Sequence, residues 1–352
     1  MINEKTSPMM KQFYEAKKIC PEALLLFRMG DFYEMFFEDA KVAAKLLGLA
    51  LTSREKGPDG TPMAGFPHHQ LDSYVAKVIA AGYKAAVCEQ MEDPKTAKGI
   101  VKRAVTRIVT AGTVTDETIL DPKELNYLAA VCYGPAKTNW NAAGLAWVEL
   151  STGAFYAATV SAELVNEHLA RIAPAELIMP AETPPAHTSS VQIPASASMQ
   201  ITPRPDWTFN FATAYDNLLK QFQTATLEGF GFTDTPTDKL AICAAGAVLD
   251  YLNETQRQMS QHIDSIQRFE HATQLEIDEA SRRSLEITRT IRGGRRDGSL
   301  LDVLDCCITP VGSRYMSECV ASPLLDIAVI NNRLDAVGEL YNNDQITVAV
   351  RE

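Results

Sequence analysis

The side chains best placed to do chemistry gather in RMGDFYEMFFEDAK, residues 28 to 41. Asp31, Glu34, Glu38 and Asp39 put four carboxylates within nine positions, enough to hold Mg²⁺ for phosphoryl chemistry. The competing reading has Glu38 and Asp39 stabilising the start of a helix and facing solvent. Phe32 follows a Gly-Asp pair and stands next to polar residues. It either completes a core or acts as a wedge, since phenylalanine can insert at a base step, unstack it and bend the duplex. Tyr33 and Phe36 fit a core. His68-His69 lies beside loop prolines with no third ligand at metal spacing, and reads as a surface pair. The sequence has no GxxxxGK[ST] loop, glycine-rich dinucleotide turn, GxSxG elbow or HExxH pair.

Alternating strands and helices must position these residues. ALLLFRMG (23–30) reads as a buried strand ending at Gly30, and 37–49 has apolar residues at helical spacing with acids in its first turn. Residues 54–67 hold three Gly and three Pro and read as a loop. A second amphipathic helix over 71–83 is stopped by Gly82, and 84–90 and 103–115 are strand-like. The first unit, 1–112, is therefore a small mixed α/β domain. A second α/β unit covers 122–236, with strands at 126–134 and 144–160, a hairpin around Ser151-Thr152-Gly153, then helix, strand and helix. Its segment 180–206 holds six prolines and reads as an irregular excursion. From 238 to 352 the pattern is long and helical, with 331–343 as the final helix. The fold class is multidomain α/β followed by a mainly α-helical segment.

A chain of 352 residues exceeds what one hydrophobic core usually serves, which agrees with two or three domains. No stretch approaches the roughly 18 apolar residues of a membrane span, and the N-terminus has no apolar core that could serve as a secretion signal. The seven cysteines (20, 88, 132, 243, 306, 307, 319) form no CxxC pair, and read as reduced thiols of a cytoplasmic protein. The net charge of −11 is uneven. Residues 1–111 carry 16 Lys and Arg against 13 Asp and Glu, and the remainder 17 against 31. Only the first third is suited to a polyanion, so a local nucleic-acid contact stays open.

Three long stretches carry a family resemblance: RMGDFYEMFFEDAKVAAKLLGLALTSR, the run from PMAGFPHHQLDSYVAKVIAAGYKAAVCEQ to VTAGTVTDETIL, and IDEASRRSLEI followed by GSLLDVLD. They resemble the MutS family of DNA mismatch-repair proteins, nearly continuously over 9–128 and more loosely through ELSTGAFY, PAELIMP and LEGFGF. The resemblance implies a mismatch-recognition domain, a connector domain with a ribonuclease-H-like fold, and the start of the core and lever helices. The family's DNA clamp and Walker-type ATPase are expected beyond residue 352, so no catalysis is expected of this chain itself.

By the same resemblance the family's Phe-x-Glu falls on Phe32 and Glu34. Phe32 would stack on a mispaired or unpaired base, where a poorly paired step costs less to open than a matched one. Stacking accepts any base. Glu34 would hydrogen-bond that base, and a carboxylate brought among phosphates can bind protonated and donate. Arg54, Lys56, Arg103 and Arg107 are candidates for backbone contacts, and Pro62 and Met63 for the minor groove. Expected partners are mismatched duplex DNA, MutL and a second copy of the chain, with ATP and Mg²⁺ as cofactors of the intact protein. The chain departs from the family at Thr110-Ala111-Gly112-Thr113, where T-P-G-T is usual, and at Val311 and Cys319, where Met and Trp are usual. Two other readings stand beside this one. One is a metal-dependent nuclease using Asp31, Glu34 and Glu38, or Glu149 on its strand. The other is a MutS relative that binds other DNA structures.

Overall fold

A computed structural model describes every residue except 1–6, 54–59, 93–98, 116–118, 135–140, 184–198, 234, 257–261, 271–273 and 352. Arg54 and Lys56 lie outside the described residues.

The first sheet is built from β1 (Leu24–Met29), β2 (Phe32–Phe36), β3 (Thr52–Ser53), β4 (Pro62–Pro67), β5 (Ala85–Gln90) and β6 (Arg103–Val109). Their order is β3-β4-β2-β1-β5-β6, with β1 and β5 parallel and the other pairs antiparallel. Both faces are covered, which is why β1 can be apolar at four successive positions, Leu24 to Phe27. Helix α1 (Pro8–Ile19) covers one face, driving Phe13 edge-on against Phe27 and Phe36 at 5.7 and 5.1 Å. Ser7 caps α1 by accepting from the Met10 N–H, with Pro8 in its first turn. Helices α2 (Phe37–Leu47) and α3 (Leu71–Ala80) cover the other face around Leu26, Tyr33, Met35 and Phe66. Gly82, at φ 81, follows the end of α3 as expected.

Two expectations fail here. The 54–67 loop contains a strand, β4, because its prolines stand at the first and last positions of that strand. Asp39 does not face solvent. It is buried, 2.8 Å from Lys17 Nζ, and accepts from the Leu25 N–H at 3.1 Å, tying α1 to α2 and β1. Glu38 does face solvent, in an exposed pair with Lys41.

The second sheet has the order β11-β10-β7-β8-β9-β12. Its strands are β7 (Tyr127–Tyr133), β8 (Ala142–Glu149), β9 (Ala154–Ser161), β10 (Glu176–Pro180), β11 (Gln200–Arg204) and β12 (Gln267–Arg268). The proline-rich excursion thus contains β11. Helix α4 (Val165–Ile172) covers one face, and α5 (Phe211–Phe222) with α6 (Pro236–Thr255) covers the other. Helix α6 falls within the segment read as the start of the third unit, yet it lies on the second sheet. Its small residues permit this. A Cβ on Gly144 of β8 would stand 1.9 Å from the Leu240 carbonyl oxygen, and one on Gly246 would stand 2.2 Å from Ala214 Cβ.

The remaining helices are α7 (Glu279–Ser284), α8 (Leu300–Leu304), α9 (Pro310–Ala321), α10 (Ile327–Tyr341) and α11 (Asp344–Arg351). Helix α7 is six residues long because Glu286, at φ 48, breaks the periodic pattern that follows it. The helix expected at 331–343 begins four residues earlier and is followed by α11. Among the described residues no helix is long and apolar enough to cross a membrane.

Candidate nucleic-acid interface

A two-residue turn places Phe32. Strands β1 and β2 pair Met29 with Phe32 and Phe27 with Glu34, leaving Gly30 and Asp31 between them. Gly30, at φ 59, supplies the left-handed conformation that such a turn asks of its first residue. The turn is held from both sides. Arg28 Nε donates to the Gly30 carbonyl at 2.6 Å, and the His68 N–H donates to the Asp31 carbonyl at 2.8 Å. His68 Nδ1 lies 3.1 Å from that same oxygen, a second bond for the Nδ1-protonated tautomer. His68, half-buried beside the exposed His69, thus also anchors the turn.

The two-residue period of β2 separates its side chains. Tyr33 and Met35 are buried under α2 and α3, whereas Phe32, Glu34 and Phe36 face the α1 side. Helix α1 covers Phe36, Glu34 is half-buried, and Phe32 is 47% exposed at the open end of the face. Phe32 is therefore not part of the buried core. Gly65 pairs with Glu34, and Pro67 with Phe32, so the β4 residue directly opposite Glu34 has no side chain. A Cβ at Gly65 would stand 2.8 Å from the Tyr33 carbonyl oxygen.

The other candidates spread out. Pro62 and Met63 are half-buried at the opposite end of β4, where Met63 pairs with Phe36. Arg103 lies on the Phe32 face, its guanidinium 5.3 Å from the Phe27 ring and donating to the carbonyls of Arg28 (2.6 Å) and Val101 (2.9 Å). Burial lowers its pKa from the ordinary value, against the opposing pull of Cys88 and Glu34. A bulge between Val87 and Cys88 changes the pairing phase of β6. Arg107 consequently points to the α3 side, 3.5 Å from Asp72. The structure brings Phe32, Glu34 and Arg103 onto one face and sends Arg107 to the other.

Behind the hairpin, Tyr33 donates to Glu89, which also lies 3.5 Å from Arg28, while the Arg28 guanidinium sits over the Tyr33 ring. Burial first, and then Glu89, push the Tyr33 phenol above its ordinary range. Sequence reasoning missed this support, and it missed Gly65. The available signal was a glycine inside an apolar run, which marks a close backbone approach.

The acids do not assemble as a metal site. The five-residue β2 lies between Asp31 and Glu38, a span of roughly 16 Å at strand rise. Glu149 is buried and accepts from Ser151 Oγ and the Thr152 N–H, both at 2.8 Å, which closes its hairpin. Among the described residues no three His, Cys, Asp or Glu side chains gather as metal ligands.

Comparison with known proteins matches three family models in succession along the chain. Residues 7–118 match the family model MutS domain I, 126–264 match MutS domain II, and 280–352 match MutS domain III. The second match takes in α6. The DNA mismatch repair protein MutS of Rhodopirellula baltica is 49% identical over 362 aligned residues, covering 98% of this chain and 40% of the relative. Proteins of the same name from Desulforapulum autotrophicum and Halothermothrix orenii are each 42% identical, over 100% and 99% of this chain and 39% and 38% of theirs. The chain thus spans about 40% of the length of the curated relatives it matches.

Proposed function

This chain belongs to the MutS family of DNA mismatch-repair proteins, and from that premise we propose that its first unit reads mismatched duplex DNA with Phe32 and Glu34. One observation carries the reading: Phe32 is a large aromatic left open at the end of an otherwise covered sheet face, on a hairpin held at both turn carbonyls. A wedge must resist the stack it opens, and this one stands on a six-stranded sheet rather than on a free loop. Glu34 faces the same side two residues on, with bare Gly65 as its cross-strand neighbour. A base displaced by Phe32 would meet its carboxylate. Arg103 supplies positive charge beside Glu34, with two of its five N–H donors serving backbone carbonyls. Arg54 and Lys56 remain proposed phosphate contacts.

The same proposal covers the whole protein. ATP binding and hydrolysis with Mg²⁺, a homodimer with one Phe32 at the mismatch, engagement of MutL and a cytoplasmic location rest on the family resemblance.

The test is the affinity of a G·T-mismatched duplex against its matched control, at fixed salt, in the whole protein containing this chain. A base–aromatic stack is worth about 1–3 kcal/mol, so Phe32→Ala is expected to lower the mismatch-over-matched ratio about tenfold while weaker general binding survives. An unchanged ratio sinks the wedge. Glu34→Gln keeps a neutral donor and is expected to keep the preference; loss of the preference with binding intact removes the protonated-donor role.

A further inference from the structure

Glu176 opens β10 and is wholly out of solvent, yet it is a carboxylate. Its acceptor positions are all used. Oε1 accepts from the hydroxyls of Thr202 at 2.6 Å and Tyr251 at 2.7 Å. Oε2 accepts from the hydroxyl of Thr110 at 2.5 Å and the Gly112 N–H at 3.1 Å. Four such bonds are about what one ionised carboxylate can accept. Lys84 Nζ, little exposed, lies 3.9 Å from Oε1 and supplies opposite charge.

The partners divide between the two sheets. Thr202 lies on β11 and Tyr251 on α6, so both belong to the second unit. Lys84 immediately precedes β5, and Thr110 and Gly112 lie within three residues after β6, so these three belong to the first. Neighbouring amides tie the same seam. Gln256, at the end of α6, donates to the Ile108 and Thr113 carbonyls at 3.2 and 3.4 Å. Asn126 donates to those of Ala111 and Val114, both at 3.1 Å. Gly112 admits the approach, since a Cβ there would stand 2.8 Å from both Glu176 Cβ and Leu128 Cδ1. The departure at Ala111 leaves all of these bonds in place.

We propose that Glu176 is a positioning residue that holds the first sheet, and with it Phe32, at one angle to the second unit. Units joined by a linker move relative to one another by default unless their interface prevents it. Here, turning the first sheet would strip Thr110, Gly112 and Lys84 from the carboxylate and leave it only Thr202 and Tyr251. An under-satisfied buried charge opposes that motion strongly. A duplex wedged on Phe32 is thus presented to the rest of the protein in a set orientation. This rests on the mismatch reading above, and its test separates the two.

Thr110→Val and Thr202→Val each remove one hydroxyl from Glu176, but only the first cuts a bond between the units. Each is made in the 352-residue chain with spin labels at exposed positions 45 and 216 and with Cys306, Cys307 and Cys319 replaced by Ser. The inter-label distance distribution is expected to broaden in Thr110→Val, stay narrow in Thr202→Val and narrow again in Thr110→Ser. Lys84→Met, a second cut between the units, is expected to broaden it too. In the whole protein, Thr110→Val is expected to lower the mismatch-over-matched ratio about fivefold, with Thr202→Val near wild type. Equally narrow distances in Thr110→Val, Lys84→Met and Thr202→Val overturn the joint. Broadened distances with an unchanged mismatch ratio overturn its part in positioning Phe32. Should Phe32→Ala itself leave the ratio intact, the mismatch reading fails, and the distances still decide the joint.

Discussion

At the scale of single residues, the site depends on what is missing opposite Glu34. Gly65 is its cross-strand partner, and a methyl there would meet the Tyr33 carbonyl oxygen at 2.8 Å and Glu34 Cγ at 3.4 Å. The first obstacle is backbone in the middle of a ladder, so it cannot swing aside as a side chain would. Gly65→Ala is therefore expected to push β2 away from β4 and destabilise the first unit by about 1–3 kcal/mol, the usual penalty of overpacking. Urea unfolding of the variant reads that loss, and a midpoint equal to wild type would show that β4 yields freely. A displaced β2 carries Phe32 and Glu34 with it, so on the proposed reading the mismatch preference should fall alongside stability. Phe32 itself was legible as a candidate from its place after Gly30-Asp31. Its exposure was not, because an aromatic in a Phe-Tyr-Glu-Met-Phe strand faces the core or solvent according to a register that only pairing with β1 and β4 sets.

At the scale of elements, caps and paired charges decide where helices begin. Helix α6 starts at Pro236 behind Thr235, whose hydroxyl accepts from the Asp238 N–H at 3.3 Å. Asp238 is buried and accepts from the Thr233 N–H and hydroxyl at 2.8 Å, while Arg268 of β12 lies 2.8 Å away. Burial alone would raise its pKa, but the Thr233 bonds and Arg268 together hold the carboxyl below its ordinary value. A carboxylate whose folded pKa is depressed contributes stability above its unfolded pKa and loses that contribution as pH falls through the folded one. Asp238→Asn is expected to cost about 2 kcal/mol at pH 7, with the gap to wild type closing below about pH 4. Denaturant midpoints at pH 7 and pH 3 check this, and a gap of constant size would remove the charge from the account. Helices and central strands were legible wherever one period ran unbroken, as in α2, α3, β5 and the β8–β9 hairpin. Strand β4 was not, because its prolines resembled a loop until the ladder showed them at the strand's two ends.

At the scale of the whole molecule, the periodicity of α6 announced a helix but not its neighbour. What assigns it to the second sheet is close approach. Gly144 of β8 lies under the backbone at Leu240, and an added Cβ would stand 1.9 Å from that carbonyl oxygen. Gly144→Ala must lift a twenty-residue helix from the sheet it covers, and is expected to cost the second unit about 3 kcal/mol or more. The buried clusters of the first sheet share no residue with those of the second. Damage at Gly144 should therefore stay local. Amide exchange is expected to quicken in β7, β8 and β10 while β1, β2 and β5 keep their protection, apart from fraying after β6 where Thr110 and Gly112 lose Glu176. Simultaneous loss of protection in both sheets would instead mean one cooperative body, with the seam at Glu176 carrying stability as well as angle. The local outcome fits a first unit that keeps its own core and, in the proposed joint, takes only its orientation from its neighbour.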